Sequence, residues 1–220
     1  MNIIDLTHPI HSGMMAYPGD PEIVLEEAMT HDKDYCHVDH LDFGSHTGTH
    51  IDAPYHFLPE GKRITDFAVS KFIGSGIAID LQHIGAGEPI RPEDLLPGLN
   101  DAKAGDFIVL RTGWYRKFGT QEYLEHPYLP EETAQLLVQR GISIVAVDFL
   151  NVDPTLWEHW EAHPVLLSNE VLIVENINNS LELVPGKRYQ FFFAPIRLQD
   201  SDGGPVRAVA IESPDPISCQ

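Results

Sequence analysis

The sequence predicts a mixed α/β domain whose core is built mainly from strands. Segments rich in β-branched and aromatic residues recur along the chain, whereas few stretches show helical periodicity. Seventeen prolines and seventeen glycines are spread between them, as expected for many turns that join short elements. With 220 residues, 43% of them hydrophobic, the chain is long enough for one sizeable domain, which we expect to span 1–220.

Eight segments are predicted to form strands, because each is short and rich in residues that favour extended backbone. In chain order they are Ile3–Leu6, Val38–Phe43, Gly76–Leu81, Phe107–Arg111, Ile142–Asp148, Val171–Val174, Tyr189–Pro195 and Val206–Ile211. Asp148 and Pro195 mark the expected ends of their strands.

Three segments are predicted to form helices. Two of them begin with proline and acidic residues, a pattern typical of a first helical turn, and the third has His163 in its first turn. They are a short helix from Arg91 that Pro97-Gly98 is expected to close, a helix over Pro130–Arg140 with one apolar face, and Ala162–Asn169.

The charge balance excludes several classes of function. Acidic residues outnumber basic ones 33 to 14, a formal net charge of −19, so the surface repels phosphate backbones and anionic lipid. We therefore expect no nucleic-acid partner and no membrane role. No apolar run approaches the ~18 residues of a membrane span, and the N-terminus lacks the pattern of a secretion signal. Cys36 and Cys219 form no CxxC pair, so we expect a cytoplasmic protein without a disulfide framework.

The segment SHTGTHIDAPYH, residues 45–56, carries the candidate chemistry. Three of the chain's twelve histidines and one carboxylate fall within eleven residues, as His46, His50, Asp52 and His56. Imidazole and carboxylate are ligands that zinc and manganese accept. In an extended chain His46 and His50 would lie ~13 Å apart, which is too far to share one ion through bonds of ~2 Å.

The segment must therefore bend. Gly48 supplies the backbone freedom, and the threonines on both sides of it disfavour a helix. Pro54 stiffens the exit and cannot donate a hydrogen bond to a strand ladder. We expect a bent loop that leads into a short strand, which would bring the first two histidines and Asp52 together as ligands. His56 would then lie beside them as a base.

The string HTGTHIDAPYH closely resembles the HxGTHxDxPxH signature of the cyclase family of metal-dependent hydrolases, which includes bacterial kynurenine formamidase and isatin hydrolase. Tyr17-Pro18-Gly19-Asp20 is similar to the family's aromatic-Pro-Gly-Asp turn. The stretch from His163 to Glu175 is similar to the family's second ligand segment. The C-terminal Ala194-Pro195-Ile196 and 204–208, GPVRA, are also family-like. The resemblance therefore touches both ends of the chain.

This resemblance implies the family's swivelling β/β/α arrangement and a centre of two divalent metal ions, Zn²⁺ or Mn²⁺. The metal ligands that it implies are His46, His50, Asp52, His163 and Glu175, with the two carboxylates bridging the ions. His56 would be the catalytic base and Tyr17 a substrate contact. A homodimer or higher homo-oligomer also follows from the likeness.

The function indicated is hydrolysis of a small-molecule amide or ester, cyclic ones included, by metal-activated water with His56 as general base. An arylformamidase acting on N-formylkynurenine is the alternative within this class. Kynurenine formamidase carries Trp where this chain has Tyr17, and the run 175–179, ENINN, is closer to the ENLxNL pattern of the broader family. The alternative of another class is a non-catalytic protein that binds a metal or ligand on the same fold.

Other polar and aromatic residues have structural interpretations. We expect surface positions, or hydrogen bonds to the metal ligands, for His8, His11, His37 and His40. Turn positions are expected for Asp148 and Asp153, although either could line the pocket, and Arg111 at a strand end could orient a substrate oxygen. An apolar pocket or the core could hold Phe43, Phe57, Trp157 and Trp160, and the run 157–160 could also form a dimer contact.

Overall fold

A computed structural model describes residues 2–156 and 159–212. The strands of this part of the chain are β1 (Ile3–Asp5), β2 (Val24–Met29), β3 (Val38–Asp42), β4 (His50–Asp52), β5 (Ile73–Asp80), β6 (Phe107–Arg111), β7 (Ile144–Val147), β8 (Leu172–Glu175), β9 (Arg188–Phe192), β10 (Gly203–Pro205) and β11 (Val209–Ile211). The α-helices are α1 (His31–Asp34), α2 (Pro92–Leu99), α3 (Glu131–Gln139) and α4 (Ala162–Ser168).

Nine of these strands form one sheet in the order β1-β11-β9-β5-β6-β7-β8-β4-β10. Strands β5, β6, β7 and β8 are parallel neighbours, and the chain returns between them through α2, α3 and α4. The strands on both sides of this block are antiparallel to their neighbours. The segment 45–56 and the segment that ends at Glu175 thus meet where the parallel block ends, because β4 pairs with β8.

The two faces of the sheet bury two separate hydrophobic cores, as the alternation of side chains along a strand requires. Ile77 and Ile79 of β5 pack with the helices, whereas Ala78 between them faces the other core. That second core contains both Ile4 of β1 and Ile51 of β4, which lie towards opposite ends of the strand order. The sheet is therefore curled, and its two ends share one core.

The predicted mixed α/β class with a strand-rich core is confirmed. Each of the eight predicted strands overlaps an observed one, and the expected short strand after the bend is β4. Strands β2 and β10 were not predicted, because two glutamates interrupt the first and the second reads Gly-Gly-Pro. The predicted end of α2 was wrong: the helix continues through Pro97 to Leu99, since Leu95 and Leu99 are both fully buried one turn apart.

One hairpin stands apart from both cores. Strands β2 and β3 form a separate two-stranded sheet, and every residue from His31 to Asp42 is exposed. Its apolar side chains Met29, Val38 and Leu41 are between 39% and 55% exposed. A two-stranded sheet without buried residues gains little stability from packing. Among the described helices, none is long and apolar enough to span a lipid bilayer.

Candidate metal centre

The short strand β4 positions the site, because its two neighbours deliver residues from distant parts of the chain. His50 lies directly opposite Glu175 of β8, and Asp52 lies opposite Gly203 of β10. The preceding loop turns at Gly48, whose φ of 62° is the left-handed conformation that glycine adopts readily. The predicted bend is confirmed, and it directs the side chains of the motif to one place.

Asp52 and Glu175 form a crosswise arrangement with two histidines, in which each carboxylate directs one oxygen to each histidine. The Nε2 atom of His50 lies 3.4 Å from Asp52 Oδ1 and 3.5 Å from Glu175 Oε2. The Nε2 atom of His163 lies 3.5 Å from Asp52 Oδ2 and 3.4 Å from Glu175 Oε1. Ligands of a tetrahedral ion with bonds of ~2.1 Å lie ~3.4 Å from one another. Each carboxylate thus directs one oxygen towards His50 and the other towards His163, at distances that suit ligands of a shared ion.

A buried oxygen without a hydrogen-bond donor supports the same interpretation. Asp52 is fully buried, and no described residue donates a hydrogen bond to its Oδ2 atom. Buried polar atoms are nearly always paired, since an unpaired one costs free energy. A divalent cation between Oδ2 and the imidazole of His163 would satisfy this oxygen. The donor set of the site therefore fits a metal ion.

The buried groups also hold opposite charges. Burial would raise the pKa of Asp52, but the charge of His46, its hydrogen bond and the charge of His50 hold that pKa well below its usual range. Burial and the charge of Asp52 act to raise the pKa of Glu175, yet hydrogen bonds from His163 and His50 lower it. Burial would lower the pKa of His163, but three carboxylates raise it well above its usual value. Ionised carboxylates in so dry a site attract cations strongly.

His46 and His56 form the outer half of the site. His46 Nδ1 lies 2.7 Å from Asp52 Oδ1, and its Nε2 lies 2.9 Å from Asp202 Oδ2. Burial would lower the pKa of His46, but the two carboxylates raise it to about 10. The ring of His56 lies 3.9 Å from that of His46, and its Nδ1 lies 3.3 Å from the same oxygen of Asp202. The structure thus gathers every predicted ligand and the predicted base around one buried carboxylate.

Asp153, expected to be a turn residue, instead orients His163. Its Oδ2 accepts a hydrogen bond from His163 Nδ1 at 2.6 Å and another from the backbone N–H of the same residue. Its Oδ1 accepts hydrogen bonds from the backbone N–H groups of Glu161 and Ala162 at the start of α4. Metal-binding histidines commonly donate their second ring N–H to a carboxylate in this way. The His163 Nε2 atom is thereby directed at Asp52 and Glu175.

Asp148 is confirmed as a structural residue and does not line the pocket. It is fully buried at the end of β7 and accepts hydrogen bonds from both backbone and hydroxyl groups. The donors are the N–H of Thr112, the N–H of Gly113 at 2.7 Å, and the hydroxyls of Thr112 and Ser180. Burial raises the pKa of Asp148, while these hydrogen bonds oppose that rise.

Replacing Asp148 with alanine should therefore destabilise the fold by on the order of 3 kcal/mol, because several buried donors lose their acceptor. The free energy of unfolding, measured by urea titration, tests this expectation. The exposed Asp101→Ala is the matched control and should change it by less than ~0.5 kcal/mol. An Asp148→Ala protein as stable as wild type would show that these hydrogen bonds contribute little.

A cavity of about 240 Å³ opens onto the centre. Tyr17, Phe57 and Trp160 form its aromatic wall: Phe57 stacks on the ring of His163 at 4.5 Å, and Trp160 lies 5.3 Å from Phe57. The Tyr17 hydroxyl accepts a hydrogen bond from the backbone N–H of Leu156 at 2.9 Å. Phe43 does not line this cavity. The predicted residues Trp157 and Cys219 lie outside the described part of the chain.

The other candidate residues do not reach the cavity. His11, His37 and His40 are exposed, as predicted. His8 is buried against Phe118, with ring centroids 4.2 Å apart, and burial lowers its pKa to about 4. Arg111 forms an ion pair with Asp80 at 2.6 Å, so the suggested role in orienting a substrate oxygen is wrong.

Asp202 is the site residue that sequence reasoning missed. It precedes Gly203 and Gly204 of β10, and an Asp-Gly-Gly run is typical of a turn rather than of an active site. The available signal was its position just before the family-like run that begins at Gly204. A carboxylate two residues before a motif is a weak signal without knowledge of the strand pairing.

Comparisons with known proteins cover most of the chain. The family model described as "Putative cyclase" matches residues 4–154. The kynurenine formamidase of Bacillus cereus is 32% identical over 212 residues, covering 94% of this chain and 95% of that protein. A solved structure of a potential metal-dependent hydrolase with cyclase activity is 28% identical, with a TM-score of 0.80 and coverage of 97% and 99%. Isatin hydrolase A from Labrenzia aggregata shares the fold, with a TM-score of 0.85 at 20% identity and coverage of 95% and 93%.

Proposed function

Because this chain belongs to the cyclase family of metal-dependent hydrolases, we propose that its buried centre binds two divalent metal ions and hydrolyses a small amide or ester. The observation that carries this proposal is the crosswise arrangement of Asp52 and Glu175. Their oxygens face His50 on one side and His163 on the other, at 3.4 to 3.5 Å. In this proposal His46 completes the ligands on the side of His50.

In this proposal, residues of the chain transfer the proton and hold the metal ligands in place. When bound, two divalent ions lower the pKa of a shared water and polarise a substrate carbonyl. His56 has its Nδ1 atom on Asp202, so its Nε2 atom is left to take a proton and return it to the leaving nitrogen or oxygen. Glu175 is held by the backbone N–H of Val152 at 2.9 Å, which fixes its carboxylate.

The cavity supports a ring-bearing substrate. Its wall of Tyr17, Phe57 and Trp160 can stack on an aromatic ring, and about 240 Å³ suits a small molecule. The fold relative isatin hydrolase A was solved with benzyl benzoate, an ester that carries aromatic rings. We therefore propose aryl amides and aryl esters, cyclic ones included, as the substrate class, with Tyr17 as one contact.

The runner-up substrate is N-formylkynurenine, which the 32% identity to kynurenine formamidase favours. Among the described residues that line the cavity, none is a lysine or an arginine, whereas Asp20 and Glu175 are acidic. N-formylkynurenine carries an ammonium group and a carboxylate at neutral pH, and its carboxylate would find no lysine or arginine partner there. We therefore propose that substrates without an amino acid group are preferred over this zwitterionic one.

A panel of isatin, simple aryl lactones and N-formylkynurenine tests the proposal. We expect kcat/KM for the best substrate without an amino acid group to exceed that for N-formylkynurenine by about tenfold or more, since a carboxylate left without a partner costs at least ~1.4 kcal/mol. Preference for N-formylkynurenine would instead establish an arylformamidase. Bound metal with no turnover on any member would favour the non-catalytic binding protein, which the position of His56 argues against.

Further parts of the proposal concern the ion, the assembly and the location. Histidine and carboxylate donors suit Zn²⁺ and Mn²⁺ alike, and elemental analysis of the purified protein distinguishes them.

A homodimer would cover the exposed apolar side chains of the β2–β3 hairpin, and sedimentation would detect it. We also propose one domain over 1–220, because both cores share one sheet. A cytoplasmic location suits the exposed free thiol of Cys36.

A further inference from the structure

Asp202 lies on a backbone that is fixed to the catalytic motif. Its carbonyl accepts a hydrogen bond from the N–H of Ala53 at 2.8 Å, and the next residue, Gly203, pairs with Asp52 across the sheet. The approach is so close that a Cβ on Gly203 would lie 2.6 Å from the carbonyl oxygen of Ile51 and 3.0 Å from Cε1 of His46. Glycine is therefore required at 203, and it holds Asp202 within reach of the histidines.

The two oxygens of the Asp202 carboxylate have different hydrogen-bond partners. Its Oδ1 accepts a hydrogen bond from the Ser45 hydroxyl at 2.9 Å, which orients the group. Its Oδ2 faces His46 Nε2 at 2.9 Å and His56 Nδ1 at 3.3 Å. A carboxylate at neutral pH only accepts hydrogen bonds, so each of these two ring nitrogens is placed to donate one.

We propose that Asp202 is a positioning residue that fixes the ring orientation and tautomer of His56 and, through the same oxygen, the ring of His46. With hydrogen on Nδ1, His56 keeps Nε2 as the atom that exchanges protons with the substrate. His46 Nδ1 faces Asp52 Oδ1 at 2.7 Å and carries hydrogen in this structure as well. In the proposed centre a cation would replace the hydrogen on Nδ1, while Nε2 would keep its hydrogen towards Asp202. One carboxylate would thus align the base with a metal ligand. This inference rests on the proposed function in treating His56 as the base and His46 as a ligand.

The analogous arrangement in serine proteases shows the expected size of the effect, since an aspartate there holds a catalytic histidine in the productive tautomer. We expect Asp202→Asn to lower kcat by about 100-fold or more and to change KM by less than about threefold. Zinc content should stay near that of wild type, because His50, Asp52, His163 and Glu175 are unchanged. Asp200→Asn is the matched control: its carboxylate is exposed and contacts Arg63 and Gln199.

A second readout requires no substrate. The ring ¹⁵N shifts of His56 in the zinc-loaded, ¹⁵N-labelled protein report its tautomer, and the spectrum of His56→Ala assigns them. Wild type and Asp200→Asn should show hydrogen on Nδ1, whereas Asp202→Asn should show a mixture of tautomers. Unchanged His56 shifts in Asp202→Asn would overturn the inference, as would an unchanged kcat.

Two outcomes separate this inference from the proposed function. If wild type hydrolyses no member of the substrate panel, the proposed function fails while the ¹⁵N shifts still decide the role of Asp202. If Asp202→Asn does not fold, Ser45→Ala removes the hydroxyl that orients the carboxylate and should shift the tautomer mixture in the same direction. Wild-type shifts in Ser45→Ala would then overturn the inference.

Discussion

Asp52→Ala is expected to remove both metal ions and to lower kcat/KM by on the order of 10⁴-fold. The reason is that, in the proposed centre, Asp52 would supply one oxygen to each cation position, so its loss would open both positions at once. It would also leave His46, His50 and His163 as buried imidazoles with fewer carboxylate partners. Elemental analysis of protein purified without chelator measures the effect, with about two ions per chain expected in wild type.

The matched control is Asp39→Ala, which removes an exposed aspartate that contacts only the exposed His37. It should keep the wild-type metal content and activity. If Asp52→Ala still holds two ions per chain, Asp52 does not bridge them. A wild-type protein that binds neither supplied zinc nor manganese would contradict the metal centre as a whole.

His56→Ala is expected to keep the metal content and lower kcat by about 10² to 10⁴-fold, the usual contribution of a general base. The ring of His56 faces the cavity, lies 3.9 Å from the ring of His46 and forms its hydrogen bond with Asp202 rather than with Asp52 or Glu175, the two carboxylates proposed to bridge the ions. Because the side chain of His56 is 30% exposed, added imidazole should reach the vacated space and restore part of the turnover. Steady-state kinetics with and without imidazole measure this.

His40→Ala is the corresponding control, since His40 lies on the exposed hairpin and its nearest acidic group, Glu26, is 3.6 Å away. It should leave kcat unchanged. A fully active His56→Ala would show that another group moves the proton. If His56→Ala lost its metal as well, His56 would be a ligand instead of a base.

Local chemistry could be predicted from the sequence where it depends on neighbouring residues. The bend at Gly48 follows from a distance argument, because an extended chain would hold His46 and His50 too far apart. The aromatic wall of the cavity and the helix that carries His163 could also be predicted from the residue types of short segments. These features need only the geometry of a few consecutive residues.

The rest of the centre depends on which strands pair, and no local pattern specifies that. His163 and Glu175 were assigned through the family resemblance, since nothing in their spacing places them against Asp52. Asp202 was missed for the same reason: its role arises from the pairing of β10 with β4. Asp153 was expected to be a turn residue because its partner, His163, lies ten positions further along the chain, where no local pattern connects the two. Long-range pairing is what sequence reasoning resolves least well.

The pairing of β4 with β8 makes cation affinity and folding one linked equilibrium. His50 and Glu175 meet only across that pairing, and more than half of the chain separates them. The unfolded chain therefore cannot gather the set, and the binding free energy of the ions stabilises the folded state alone. The cell's supply of free metal would then govern how long this enzyme survives, as well as how fast it works.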